Sequence, residues 1–378
     1  MEKIIYFDNS ATTPPCETAI KYINKSLQND WGNPSSLHSL GITAEQAVTE
    51  ARKKIASLIG AKPNEIYFTS GGSEANNTAI FGAAYSRKKR GNRIVTTTIE
   101  HPSVLNCMKK LENEGFEVIY LPVNKKGVIE INDLSNAINE KTILVSIMAV
   151  NNEVGTVQPI GEAADIIKRN NAPALLHSDC VQAFGKLPIN FSKLKIDLIT
   201  ASAHKVHGPK GIGFLYKKNG VSLPAFIYGG GQESGMRSGT ESTPLISGFS
   251  GAIDELANIA ENLEKQKEFL KYAKEKILKT NLVTINSPDD ALPYILNISV
   301  NGYRSEILLH YLDSKGIFVS SGSACAKGNT SYVLSEMGFD KARIDSSLRL
   351  SFSRYNTTDE IDAFCSVLEQ AAKIIRKA

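Results

Sequence analysis

The stretch Ile196-Asp197-Leu198-Ile199-Thr200-Ala201-Ser202-Ala203-His204-Lys205 passes from an apolar run into a hydroxyl, an imidazole and an amine. Another apolar run, Leu175-Leu176-His177-Ser178-Asp179, ends in a carboxylate. Short apolar runs of this kind alternate with helical patterns along the chain, which indicates a mainly parallel sheet with helices on both faces. We therefore predict an α/β fold whose sheet has seven strands, at 65–69, 93–98, 117–121, 142–149, 174–179, 196–201 and 212–216.

The pattern changes after Gly251, where apolar residues recur on one face of a long charged helix. Beyond it, strands near 294–300, 317–320 and 347–353 and helices over 304–314 and from 358 predict a smaller α+β unit. A chain of 378 residues also exceeds the size at which one core usually suffices. We expect a large domain at 15–255 and a small domain that combines 1–14 with 256–378.

The chemistry of the chain depends on Lys205 and Asp179, each of which follows a predicted strand. A pyridoxal phosphate pocket needs these two groups: the lysine carries the cofactor as a Schiff base, and the aspartate keeps the pyridine nitrogen protonated. A lone lysine near glycines is more often a solvated loop residue. The prediction therefore also rests on a segment suited to phosphate, Thr69-Ser70-Gly71-Gly72-Ser73, which follows a strand and opens a helix. A second segment rich in glycine and hydroxyls lies at 229–240, although either segment alone would indicate only a tight turn.

Composition excludes several classes of protein. The formal net charge is +4, with 42% hydrophobic and 22% charged residues, which gives no reason to expect a nucleic-acid or membrane partner. The first residues lack the apolar region of a signal peptide, so we expect a cytoplasmic protein. Five cysteines without paired spacing argue against a disulfide framework, and His204 and His207 have no evident third ligand, so we expect no metal.

Several segments together resemble the cysteine desulfurases of the NifS/IscS type. They occur in that family's order, and the most specific is Ser320-Ser321-Gly322-Ser323-Ala324-Cys325, which distinguishes a desulfurase from other enzymes of this cofactor class. The similar segments are 6–14, 32–36, 69–74, 100–101, 151–155, 202–205, 229–240 and 320–325.

The resemblance implies a fold-type I pyridoxal phosphate enzyme, a homodimer whose active sites receive residues from both chains. It implies catalytic roles for Lys205 as the Schiff-base lysine, His101 as a ring-stacking proton-transfer group and Cys325 as the nucleophile. The residues expected to bind the cofactor are Gly72, Ser73, His101, Asn152, Asp179, Gln182, Ser202, His204 and Lys205, with Thr240 of the neighbouring chain. In that set Asp179 would meet the pyridine nitrogen and Gln182 the phenolic oxygen. Asn33, Asn152 and Arg349 would bind the substrate.

The implied reaction converts L-cysteine to L-alanine and leaves a persulfide on Cys325 for transfer to an acceptor protein. That acceptor would be an iron-sulfur scaffold or a tRNA-thiolation enzyme. The segment after Cys325, 326–330, is shorter than the usual IscS version, which favours a dedicated acceptor. Ala203 replaces the glycine expected before the His-Lys pair, which should be tolerated if the backbone is extended there.

Two alternatives remain open. A selenocysteine lyase or an aminotransferase on the same scaffold would keep Lys205 and Asp179 without needing the thiol of Cys325. A non-catalytic binding module is disfavoured by the intact set of Lys205, Asp179 and His101.

Overall fold

The computed structural model of the protein describes residues 4–190, 193–256, 258–322 and 331–377. Within them the strands are β1 Ile5–Tyr6, β2 Ile66–Thr69, β3 Arg93–Thr97, β4 Glu117–Leu121, β5 Thr142–Ser146, β6 Leu175–Asp179, β7 Leu198–Ser202, β8 Gly213–Lys217, β9 Val283–Ile285, β10 Ile295–Val300, β11 Ile317–Phe318 and β12 Ser347–Ser351. The α-helices are α1 Glu17–Asn29, α2 Ser39–Ile59, α3 Gly72–Arg87, α4 Pro102–Asn113, α5 Ile131–Ala137, α6 Ile160–Arg169, α7 Thr243–Asp254, α8 Ile259–Lys279, α9 Ser305–Asp313, α10 Tyr332–Glu336, α11 Lys341–Asp345 and α12 Thr358–Ile374. None of the helices in these ranges is both long and apolar enough to cross a membrane.

The central sheet of the described chain has seven strands in the order β2-β8-β7-β6-β5-β3-β4. The strand β8 is antiparallel to both of its neighbours, and the other pairs are parallel. The seven strands predicted from apolar runs are confirmed. The largest difference is at β5, which ends at Ser146, although the N–H groups of Ile147 and Ala149 still bond to carbonyls of β6.

Helices cover both faces of this sheet, which explains why its strands are almost continuously apolar. Every residue of β5, β6 and β7 is buried. One face packs against α2 and α6, and the other packs against α3 and α4. The small side chains Ala75, Ala79 and Ala83 lie on the buried side of α3 and are fully enclosed, so this helix lies close to the sheet.

A second core lies in the C-terminal part of the chain. There β10 pairs antiparallel with β12 and with β9, and the sheet packs against α8, α9 and α12. The start of the chain joins this core, because β1 pairs with β11 and Phe7 packs edge-on against Phe352 with ring centroids 5.3 Å apart. On these separate cores we propose the division into a large domain at 15–255 and a small domain of 1–14 with 256–378.

Candidate active site

The ends of the sheet strands create the site. Because β2, β3, β5, β6 and β7 all run in one direction, their carboxyl ends meet at one edge of the sheet, where ligands bind in open α/β folds. A cavity of about 260 Å³ opens there. The predicted residues that line it are Gly72, Ser73, His101, Asn152, Asp179, Gln182, Ser202, His204, Lys205 and Arg349.

The lysine of the pair follows β7 in a single 3₁₀ turn, Ala203–Lys205. Its Nζ donates to the carbonyl oxygens of Ser10 and Ala11, the latter at 2.8 Å. The N-terminal segment is fixed to this turn, because the N–H of Thr13 donates to the carbonyl of His204 at 2.8 Å. The first residues of the chain therefore form one wall of the site and position the amine.

Asp179 is the last residue of β6, and both of its carboxylate oxygens accept hydrogen bonds. Its Oδ1 accepts from the N–H of Val181 at 2.9 Å, and its Oδ2 accepts from Nδ2 of Asn76 at 2.7 Å. Asn76 is in turn held by Thr200, whose hydroxyl donates to Oδ1 of Asn76 at 2.5 Å. An anion with both oxygens fixed by donors is suited to hold a protonated ring nitrogen in the cavity.

His101 caps the start of α4 with its own side chain, since Nδ1 accepts from the N–H of Ser103 at 3.1 Å. A backbone amide can only donate, so Nδ1 carries no proton and the neutral imidazole holds its proton on Nε2. Burial lowers the pKa of His101, the negative charge of Asp179 opposes that change, and the nearby Lys205 lowers the pKa further. Neutral His101 thus presents an N–H donor.

The start of α3 has the features of a phosphate seat. No side chain caps its first turn, and the backbone of Gly71 has φ 152° and ψ −173°, a conformation that is essentially restricted to glycine. The hydroxyl of Ser202 lies across from it, 3.6 Å from where a Cβ on Gly71 would be. His204 also lines the cavity, and burial together with the cations Lys205, Lys210 and Lys186 lowers its pKa to about 4. These donors fit the phosphate of a bound cofactor.

Another part of the cavity carries unsatisfied polar groups, a donor on Arg349 that suits a carboxylate and an amide oxygen on Asn152 that suits a hydrogen-bond donor. Arg349 is 1% exposed and pairs with Asp8 at 2.7 Å, while its Nη1 donates to the carbonyl of Asn152 at 3.0 Å. Its Nε and the Oδ1 of Asn152 are buried without a hydrogen-bond partner within the described chain. Buried polar atoms of this kind are costly unless a ligand satisfies them.

Two predicted residues of the described ranges, Asn33 and Thr240, do not line this cavity. Asn33 is exposed and its Oδ1 accepts from the N–H of Ser35 at 2.9 Å, and Thr240 is exposed at the end of the glycine-rich segment. Cys325 lies outside the described residues.

Sequence reasoning missed several cavity residues, among them Ser10, Asn76 and Ser103. Asn76 lies one turn inside α3 and Ser103 is the second residue of α4, positions where a polar residue usually faces solvent. The only available signal was that both follow a strand closely in sequence. Extended backbone was the condition under which Ala203 was expected to be tolerated, but the residue lies in a 3₁₀ turn. Alanine is tolerated there because its φ is negative.

Comparison with known proteins identifies the class of this site. The family model for class-V aminotransferases matches residues 5–364. A cysteine desulfurase IscS of Clostridium botulinum is 43% identical, over 100% of this chain and 96% of its own length. A solved NifS-like protein superimposes with a TM-score of 0.92 at 38% identity and covers 99% of this chain and 100% of its own. A structure described as SspA in complex with cysteine superimposes with a TM-score of 0.83 at 36% identity, and the match covers 93% of this chain and 100% of that one.

The chain therefore belongs to the class-V aminotransferases, which depend on pyridoxal phosphate. Within that family it belongs to the cysteine desulfurases of the NifS/IscS type, and its fold is that of the fold-type I pyridoxal phosphate enzymes. Its activity is the removal of sulfur from cysteine.

Proposed function

We propose that this cavity converts L-cysteine to L-alanine and that Cys325 receives the sulfur as a persulfide. The carbon–sulfur bond of the substrate breaks, a carbon–hydrogen bond replaces it, and a sulfur–sulfur bond forms on Cys325. The S–H bond of Cys325 also breaks, and the two electrons that reduce the carbon come from the two sulfur atoms as they form the persulfide, so no further oxidant or reductant is needed. The observation that carries the proposal is the convergence of Lys205, Asp179 and Arg349 on one cavity that also contains the uncapped start of α3.

Pyridoxal phosphate, when bound, supplies a ring that accepts the negative charge developing on the substrate. Gly72, Ser73, Ser202 and His204 would hold its phosphate, with Thr240 of a second chain. Asp179 would keep the ring nitrogen protonated, since both of its carboxylate oxygens are held in place by donors.

The chain's own residues would move the protons and bind the substrate. Lys205 would take the proton from the α-carbon and return one to the product. His101 would stack on the ring and donate from Nε2. The Nε of Arg349 and the NH₂ group of Asn152 would bind the substrate carboxylate, with Asn33 as a further contact.

Mass spectrometry after incubation with L-cysteine tests the proposal. We expect one sulfur atom added at Cys325, removable by a reductant, and alanine released in solution. The variant Lys205→Ala should lose both, whereas Lys210→Ala, a nearby exposed lysine, should retain both. Cys325→Ala should release no alanine from cysteine, and Cys365→Ala on the last helix serves as its matched control. Sulfur addition at a different cysteine would overturn the assignment.

A homodimer forms part of this proposal. Large apolar side chains are exposed at Trp31, Leu37 and Tyr228, with 64%, 95% and 82% of their surface accessible. The stretches that carry them lie close in space, because 34–35 and 230–234 line one shallow cavity. A group of exposed apolar side chains favours a protein–protein interface at this surface. Thr240 follows the second stretch, so an interface here would bring it toward the partner chain.

Mixing two inactive chains tests the shared site. If Thr240 serves the partner's phosphate, equal amounts of Lys205→Ala and Thr240→Ala should form mixed dimers in which one site has both residues intact. The mixture should then exceed the average activity of the two variants. Activity at that average would place Thr240 outside the partner's site.

We further propose that the acceptor is a sulfur-carrying partner, an iron-sulfur scaffold or a tRNA-thiolation enzyme, in the cytoplasm. The IscS names of the relatives support the first acceptor, and the short segment after Cys325 supports a dedicated one. The described cysteines Cys16, Cys107, Cys180 and Cys365 are free thiols, as expected in a reducing compartment. Transfer of labelled sulfur from the loaded enzyme to each class of purified acceptor separates the two.

A further inference from the structure

A buried lysine lies directly behind the site. Lys186 lies in the turn segment that follows β6 and is only 6% exposed. Its Nζ donates to Oε1 of Gln182 at 3.0 Å and lies 5.9 Å from the ring centre of Tyr294. No carboxylate of the described chain forms an ion pair with it. A buried cation without a counter-charge is destabilising, so its presence requires an explanation beyond packing.

The surroundings of Lys186 are themselves cationic or neutral. Lys205 and Arg349 act on it electrostatically, and a small cavity of about 20 Å³ beside it is lined by His207 and Arg354 among others. Burial first, and then the charges of Lys205 and Arg349, lower the pKa of Lys186 to about 7. These neighbours exclude a simple ion-pair role.

Two hydrogen bonds, one from Lys186 and one to Ser10, determine which way the amide of Gln182 faces. Because Oε1 of Gln182 accepts from Lys186, its NH₂ group must point to the other side. There Nε2 donates to the carbonyl of Ser10 at 3.0 Å, the same carbonyl that accepts from Lys205. Gln182 is 5% exposed and lines the cavity, so with one N–H bonded to Ser10 the other remains for a group bound in the cavity.

We propose that Lys186 is a positioning residue for Gln182. Its hydrogen bond to the amide oxygen helps to hold an N–H of Gln182 toward the phenolic oxygen of the cofactor. The inference rests on the proposed function. An amide that donates to this oxygen favours its deprotonated form. Without Lys186 only the bond to Ser10 opposes rotation of the amide, and a rotated amide would present its oxygen, which would repel the phenolate.

The test is a titration of the visible absorption of the cofactor-loaded enzyme. In Lys186→Met we expect the pH midpoint of the absorption change to rise by about 0.5 to 1 pH unit, the effect of losing one hydrogen bond. Gln182→Ala should raise it similarly, and adding Lys186→Met to Gln182→Ala should move it no further. The exposed Lys193→Met is the matched control and should leave the midpoint unchanged.

The double variant separates positioning from a plain charge effect. A rise caused by Lys186→Met that persists in the Gln182→Ala background would show that Lys186 acts by charge, and would overturn the inference. An unchanged midpoint in Lys186→Met would overturn it as well. If Lys186→Met does not fold, Lys186→Gln takes its place in the same cycle. A wild-type enzyme with no visible absorption would instead refute the proposed function.

Discussion

Nδ2 of Asn76 lies 2.7 Å from Oδ2 of Asp179 and 2.9 Å from Oγ of Ser103. Ser103 in turn lies 2.8 Å from Nδ1 of His101, so one buried amide connects the carboxylate at the end of β6 with the imidazole at the start of α4. Thr200 accounts for the remaining oxygen of Asn76 and thereby fixes which end of the amide faces the acid. The acid and the imidazole are therefore positioned by a common residue.

Asn76→Ala should lower kcat/KM by about 10- to 100-fold, the usual cost of removing a hydrogen-bond partner behind a functional group. The reason is that Asp179 loses a donor and Ser103 loses the contact that orients it toward His101. Steady-state desulfurase kinetics across pH measure the effect, and a shifted pH profile separates positioning from mere destabilisation. The exposed Asn64→Ala is the control. Full activity in Asn76→Ala would contradict the shared role.

Lys186→Met should stabilise the cofactor-free protein by a few kcal/mol near pH 7, because a buried amine is removed. The folded-state pKa of Lys186 is lowered from 10.5 to about 7, chiefly by burial. Between those values the unfolded chain binds a proton that the folded chain does not, so the free energy of unfolding of the parent rises with pH. The advantage of the variant should therefore shrink as pH rises from 7 toward 10.5. Urea unfolding at several pH values measures the difference in the free energy of unfolding between the variant and the parent. A difference that stays constant with pH would show that Lys186 does not titrate in this range.

Glu100→Gln should stabilise the protein most at alkaline pH. Complete burial, helped by the charge of Asp179, raises the pKa of Glu100 from 4.5 to about 8, although the N–H of Met148 and the hydroxyl of Thr97 oppose the shift. Between those values the folded chain holds a proton that the unfolded chain has lost, so the free energy of unfolding falls as pH rises. The gain of the variant over the parent should grow from pH 5 to pH 8. The exposed Glu140→Gln should show no such trend in the same unfolding series.

Gly71→Ala should weaken cofactor binding by at least about tenfold, because its backbone conformation is strained for any residue with a Cβ. Relaxing that strain would move the start of α3 and its amide groups. Equilibrium binding of pyridoxal phosphate to the cofactor-free protein gives the dissociation constant. Gly220 also has a positive φ, 87°, but lies in an open turn, so Gly220→Ala should lower the stability of the fold and leave the cofactor affinity unchanged. Equal loss of cofactor affinity in both variants would refute a local role of Gly71.

The strands could be predicted because buried parallel strands consist of unbroken runs of apolar residues. The polar residue at the end of such a run marks the edge of the sheet where ligands bind. Asp179 and Ser202 were found in this way. Asn76 could not be found, because its role depends on Thr200, which is distant in sequence. Lys186 could not be found, because its partner Gln182 gains a role only through Ser10 of the N-terminal segment. The exact end of β5 was missed because Ile147 to Ala149 remain apolar after the strand pairing becomes irregular.

The pairing of Asp8 with Arg349 joins residues at opposite ends of the chain. A ribosome releases the first ten residues long before it makes the strand that carries Arg349. Until then Asp8 has no arginine to pair with and the cavity lacks Arg349 on its wall. Completion of the pocket must therefore be a late event in biogenesis.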